Sequence, residues 1–147
     1  MHYLKFGTGK KYLVFLHGWG AELNSFLWLK SFFEDDYSLL FIDFAGFGKS
    51  EKLTMPYFVS DYVFDLKKLL DKFDIDELVF IGHSFGGRVA IKFAFLFEKN
   101  YNKFSLILVD SAGVLPKHGL CYYFKIWRYK VLKQKVLLNK KPKSVKC

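Results

Sequence analysis

Residues 78–87 read LVFIGHSFGG, an apolar run that stops abruptly at a serine set among small residues. The run is rich in Leu, Val, Ile and Phe and lacks two-residue alternation, as expected of a strand covered on both faces of a parallel sheet. The next stretch, from Ser84 to Lys99, reads as a helix opened by small residues and apolar through Phe97. Gly82-His83-Ser84-Phe85-Gly86 therefore fits G-x-S-x-G at a strand-to-helix turn. A serine there adopts a strained backbone that flanking side chains would obstruct, and Gly82 and Gly86 remove them. Gly87 and Ala90 are expected to let the helix approach the sheet closely. Ser84 then projects its hydroxyl at a helix N-terminus, where the dipole and free N–H groups favour negative charge.

Outward from this stretch, three more apolar runs end in polar or glycine-rich breaks: residues 12–17 (YLVFLH), 39–43 (LLFID) and 104–110 (FSLILVD). Between the second run and the serine-bearing one, Val59, Tyr62, Val63, Leu66, Leu69, Leu70 and Phe73 recur at steps of three and four, the face of a helix. A weaker helix is expected at residues 26–33, with Asn24 or Ser25 as its N-cap. Strand and helix in alternation predict an α/β fold, a mostly parallel central sheet with helices on both faces. The opening HYLKFGTGKK would add an antiparallel edge hairpin. In such sheets the chemistry sits in loops at the carboxyl ends of the strands, here HGWG, DFAGFGKS, GHSFGG and DSAG.

The 147 residues allow one domain, and 52% hydrophobic with 20% aromatic residues demand a large core and exclude a disordered chain. No apolar run approaches the roughly 18 residues of a membrane span. The start, MHYLKFGTGKK, lacks a signal peptide's apolar stretch, so a cytoplasmic location is expected. Cys121 and Cys147 form neither a metal spacing nor a disulfide framework. No metal and no cofactor are expected.

HGWG, residues 17–20, can aim backbone N–H groups at a developing oxyanion. Phe85, the residue after the serine, would supply one donor and Trp19 the other. His17 is expected to brace this loop, and His83 to leave the turn on the side opposite Ser84. DFAGFGKS resembles the end of a phosphate-binding loop, but Asp43 stands where that motif needs glycine, and Glu51 blocks a dinucleotide fingerprint.

HGWG, then Asp43, Gly46, Gly48 and Ser50 in D-x-x-G-x-G-x-S, then GHSFGG, in this order and between strands, resemble the α/β-hydrolase fold family, capped esterase and C–C-hydrolase type. The resemblance covers residues 3–115. It implies a serine hydrolase acting on a small-molecule ester or related acyl compound, with Ser84 as nucleophile. Asp43 and its glycines would shape the loop beside the site without being catalytic. VDSAG, residues 109–113, would end the family's sixth strand, after which a helical cap is often inserted, here over residues 120–138. The domain division expected is a partial hydrolase core, 1–115, and a basic helical cap segment or tail, 116–147.

The family places its catalytic acid and His after later strands, so the chain is expected to be truncated after the sixth and to lack that His. Beyond Ser84 the one histidine is His118. Asp110 is a candidate acid, since some relatives carry theirs at this strand end; the alternative is an ordinary turn-capping Asp. A serine hydroxyl without a base is a poor nucleophile, which leaves a second reading, a non-catalytic remnant or binding module.

The formal charge of +9 is concentrated at one end. From Ser111 onward there are ten basic and no acidic residues. This stretch reads first as a cap helix. It reads secondarily as an amphipathic helix touching a membrane surface, or as a nucleic-acid patch of Lys125, Arg128, Lys130, Lys133 and Lys135. Cap packing is preferred, because the stretch directly follows the sixth strand, and no nucleic-acid partner is expected. Self-association through the exposed sheet edge is a further expectation.

Overall fold

The computed structural model describes residues 1–113. Five strands, β1 (Tyr3–Phe6), β2 (Lys11–Leu16), β3 (Ser38–Ile42), β4 (Glu77–His83) and β5 (Lys103–Val109), form one sheet in the order β1-β3-β2-β4-β5. β2, β3, β4 and β5 run parallel, and β1 pairs antiparallel with β3. The α/β architecture expected from the sequence is therefore present.

Four helices complete the described residues: α1 (Asn24–Leu27), α2 (Lys30–Phe33), α3 (Val59–Leu70) and α4 (Phe85–Phe97), the last followed by a single 3-10 turn at Glu98–Asn100. The apolar stripe read from residue 59 onward buries Tyr62, Val63, Leu66, Leu69 and Leu70 of α3. At its start the Asp61 carboxylate accepts the Phe58 N–H (2.7 Å), satisfying one orphan donor of the first turn.

Continuous apolar runs, rather than alternating ones, follow from two cores on the two sheet faces. Tyr12, Val14, Leu16, Leu40, Ile42, Leu78 and Phe80 point to the side of α3 and α4, joined there by Val89, Ala90 and Phe93. Leu13, Phe15, Leu39, Phe41 and Ile81 point the other way, against Phe26, Leu27, Leu29 and Phe33 from the α1–α2 segment. Phe15 and Phe41 stack at 4.4 Å between ring centroids. Burying each such ring contributes about 1.5–3 kcal/mol.

Two expectations need correction. The opening segment is an antiparallel edge strand but not half of a hairpin, because β3 inserts between β1 and β2. The helix expected over residues 26–33 is two short helices, and neither Asn24 nor Ser25 caps it. Leu23 occupies the N-cap, while the Asn24 side chain donates to Glu22 Oε1 (2.8 Å). The proposed cap over residues 120–138 and the segment 116–147 lie outside the described residues. Among the described residues no helix is long and apolar enough to cross a membrane.

Register then decides where chemistry can occur. Leu16 pairs with Ile42 and with Gly82, and Gly82 with Leu108, so the parallel strands end level with one another. The loops after β2, β3, β4 and β5 emerge together at that end. These are the four segments singled out in the sequence.

Candidate active site

The turn between β4 and α4 is strained where the sequence pattern predicts. Ser84 has φ 49° and ψ −109°, a backbone state that costs a non-glycine residue on the order of 1–3 kcal/mol. Its neighbours hold it there. The Ser84 N–H donates to the Val109 carbonyl (3.1 Å), and the Ser84 carbonyl accepts the Ala112 N–H (3.0 Å) and the Arg88 N–H (3.3 Å). The end of β5 thus clamps the serine from one side and the first turn of α4 from the other.

The glycines here answer to space. A Cβ on Gly82 would lie 2.7 Å from Gly87 Cα, and one on Gly86 would run into the Leu16 and His17 carbonyls. A Cβ on Gly87 would strike Ser111 and lie 3.2 Å from the Gly82 carbonyl, the close helix-to-sheet approach expected of this position.

The N–H groups of Phe85 and Trp19, like those of Gly86 and Gly87 in the first turn of α4, donate to no backbone acceptor among the described residues. Phe85 is the first residue of α4, so its N–H is an orphan of the helix start, aligned with the helix dipole. Trp19 belongs to the loop after β2. The two residues meet through their rings, at 5.2 Å between centroids with an edge-to-face angle of 83°. Phe85 also packs edge-on to Phe44 (5.7 Å) and Tyr62 (5.2 Å), and Trp19 to Phe47 (4.9 Å). Aromatic packing fixes the loop against the helix start.

His17 is a brace. It is buried, and its Nε2 accepts the Phe44 N–H (3.1 Å), so the ring proton sits on Nδ1 and is donated to the Gly18 carbonyl (2.8 Å). Burial holds its pKa below the ordinary histidine value, against the opposing pull of the Gly18 carbonyl and of Asp43. Both ring nitrogens are committed to holding the loops after β2 and β3 together.

Asp43, at the end of β3, gathers three segments. Its Oδ1 accepts the Leu23 N–H (2.7 Å), and its Oδ2 accepts the Lys49 N–H (2.9 Å) and contacts His2 Nδ1 (2.8 Å). Burial pushes this carboxyl up, but the Lys49 and Leu23 N–H groups and His2 outweigh it and keep it below the ordinary carboxylate value. Ser50 completes the knot, donating to the Asp43 carbonyl (2.6 Å) and accepting the His2 N–H (2.7 Å). A Cβ on Gly48, which has φ 52°, would collide with this carboxylate, which explains the glycine.

His83 is exposed, and its imidazole lies against Gly18: a Cβ there would stand 2.9 Å from Nδ1 and 3.4 Å from Ser84 Cβ. Asp110 is exposed, with φ 43°, and follows Val109, the register partner of His83. It therefore sits level with Ser84 on the adjacent strand. His118 lies outside the described residues. Among the described residues no histidine nitrogen is hydrogen-bonded to Ser84 Oγ, and no group of three His, Cys, Asp or Glu side chains could hold a metal ion.

A strained serine at a glycine-flanked strand-to-helix turn, with four loops converging on it, matches what comparison with known proteins finds. A family model described as the alpha/beta hydrolase fold matches residues 11–135. The chain belongs to the α/β-hydrolase fold family. It is 35% identical over 98 residues to a serine hydrolase-like protein of Mus musculus, covering 65% of this chain and 31% of that protein. It is 31% identical over 150 residues to a 2-hydroxy-6-oxononadienedioate/2-hydroxy-6-oxononatrienedioate hydrolase of Paraburkholderia phymatum, covering 95% of this chain and 52% of that one. Among solved structures, an esterase from Exiguobacterium antarcticum superposes with a TM-score of 0.68 and 25% identity, over 80% of this chain and 44% of that one. These members of the family are hydrolases. The chain spans 31% to 52% of their length.

Sequence reasoning singled out Ser84, Phe85, Trp19 and His17, and the bracing contacts of His17 are present. It missed His2, which has no motif to mark it and meets Asp43 only through the fold. It also assigned no role to residues 53–57, which border the loop of Trp19.

Proposed function

We propose that this chain carries the nucleophile and oxyanion hole of a serine hydrolase acting on an ester or related acyl substrate. The observation that carries the reading is the backbone of Ser84, strained at φ 49° and pinned by both β5 and α4. Its Oγ would attack the acyl carbonyl. The oxyanion formed would accept hydrogen bonds from the Phe85 and Trp19 N–H groups, each such donor contributing about 3–4 kcal/mol to the transition state. The esterase and C–C hydrolase relatives support this reaction class.

A general base must reach the serine hydroxyl, within about 2.6–3.2 Å or through one water. Of the three histidines among the described residues, His2 is held by Asp43 and His17 by two backbone partners, and His83 makes no hydrogen bond to Ser84. This inventory favours a second reading, in which the chain binds acyl compounds without turning them over. Asp110, level with Ser84, remains the candidate acid of the first.

A fluorophosphonate probe tests the nucleophile directly, with exogenous imidazole standing in for a base. Labelling is expected at Ser84 and is expected to vanish in Ser84→Ala. Equal labelling of both proteins, or none of either, would remove Ser84 as the nucleophile.

A further inference from the structure

A groove of about 450 Å³ is walled by Trp19, Tyr62 and residues 53–57. Its size lies within the range of small-molecule sites. The wall is Trp, Leu, Thr, Met, Pro and two Tyr, and not one lining side chain carries a charge at neutral pH. Both ring-bearing ends of the groove touch the residue next to Ser84: Trp19 and Tyr62 each lie 5.2 Å from the Phe85 ring, edge to face. The groove is therefore joined to the serine turn through one aromatic side chain.

Met55 is 65% exposed and Trp19 67% exposed, so two large apolar side chains present surface to the same hollow. Leu53 is anchored behind them, its Cγ 3.1 Å from where a Cβ of Gly46 would stand, and Tyr57 packs edge-on to Tyr62 at 5.2 Å. On the far side of Leu53, Thr54 and Tyr57 lies a second hollow of another character, lined by Glu51, Lys52, Asp65, Lys68 and Lys72. The segment 53–57 thus separates a charged hollow from an uncharged one. The uncharged one faces the loop that bears Trp19.

We propose that this groove is the subsite for the hydrocarbon group of the substrate, and that the chain therefore selects uncharged esters bearing an aryl or branched alkyl group. The proposal rests on the reading of Ser84 and the Trp19 N–H as the reacting centre. A ring seated between Trp19, Met55 and Tyr62 gains aromatic and sulfur–aromatic contacts. An anionic group there would be desolvated with no cation in the wall to pair with it.

The test is binding of methyl 2-naphthyl ketone, an uncharged and non-hydrolysable carbonyl compound, to the full 147-residue chain. The chain has three tryptophans, so Trp28→Phe with Trp127→Phe leaves Trp19 as the single reporter. Saturable quenching of Trp19 fluorescence is expected. Met55→Asp and Pro56→Glu, both at exposed positions that the folded core does not need, are each expected to weaken binding about tenfold or more. Naphthalene-2-sulfonate is expected to bind at least about tenfold more weakly than the ketone. Quenching that fails to saturate, that ignores both wall variants, or that is as strong with the sulfonate would overturn the proposal. Ketone binding with no fluorophosphonate labelling would instead refute the Ser84 reading while the groove stands.

Discussion

Strands β3 and β5 carry similar apolar runs in one sheet and meet different fates. All five residues of β3 are buried, with Leu40 and Ile42 against one core and Leu39 and Phe41 against the other. Of β5, Phe104 and Leu106 pack toward α4, while Ile107 is 50% and Val109 45% exposed. The difference lies in neighbours rather than in sequence. β3 has a strand on each side and helices on each face, whereas β5 is the outer strand among the described residues. An apolar run reports that a strand is to be covered, and the covering of β5 is not found within residues 1–113. Yet the end of β5 is where the Ser84 turn is clamped, so the less covered strand bears on the site.

Truncating one side chain from each region should show the contrast at its largest. Phe15→Ala, which also removes the stacking partner of Phe41, is expected to cost about 3–5 kcal/mol, and Ile107→Ala about 1 kcal/mol or less. Chemical denaturation of the purified variants checks both, and equal losses would refute the contrast. The next largest effect is expected at the knot. Asp43→Asn leaves the Leu23 and Lys49 N–H groups without their charged acceptor and is expected to cost about 2 kcal/mol in the same assay. An unchanged midpoint would show that the knot is not needed for stability.

The strands were legible because each is a run of large apolar residues ended by a polar break, and the serine turn because Gly82, Gly86 and Gly87 mark crowding on every side of it. Other features were not, each for a physical reason. The hairpin expected of the N-terminus failed because local sequence cannot report that β3 inserts between β1 and β2. The helix over residues 26–33 split because its apolar residues serve one small core and no side chain caps its start. His2 lies before β1, and only folding brings its ring to Asp43, 41 positions along the chain.

Two smaller effects separate what holds the fold from what serves chemistry. Ser84→Gly releases the backbone strain at φ 49° and is expected to raise stability by about 1 kcal/mol, although it removes the hydroxyl. A loss of stability would mean that the turn is not strained. The smallest effect concerns pH. His17 is held neutral by burial, so its folded pKa lies below the reference 6.5, and as pH falls under 6.5 the unfolded chain takes up the proton more readily. Stability should therefore fall with acidification from that point, and less steeply in His17→Gln. Asp43, held below 3.8, keeps its contribution above that value and loses it as the pH falls through its lowered folded pKa. Thermal melts across this range check the order, and identical profiles for wild type and His17→Gln would contradict it.

On the function proposed, residues 1–113 hold a nucleophile and its oxyanion donors but no base. Steady-state hydrolysis of p-nitrophenyl acetate by the purified 147-residue chain, beside Ser84→Ala and His118→Ala, tests this without intermediaries. Turnover no faster than that of Ser84→Ala is expected. Steady turnover lost in both variants would contradict it, because His118 would then be the base of a working site.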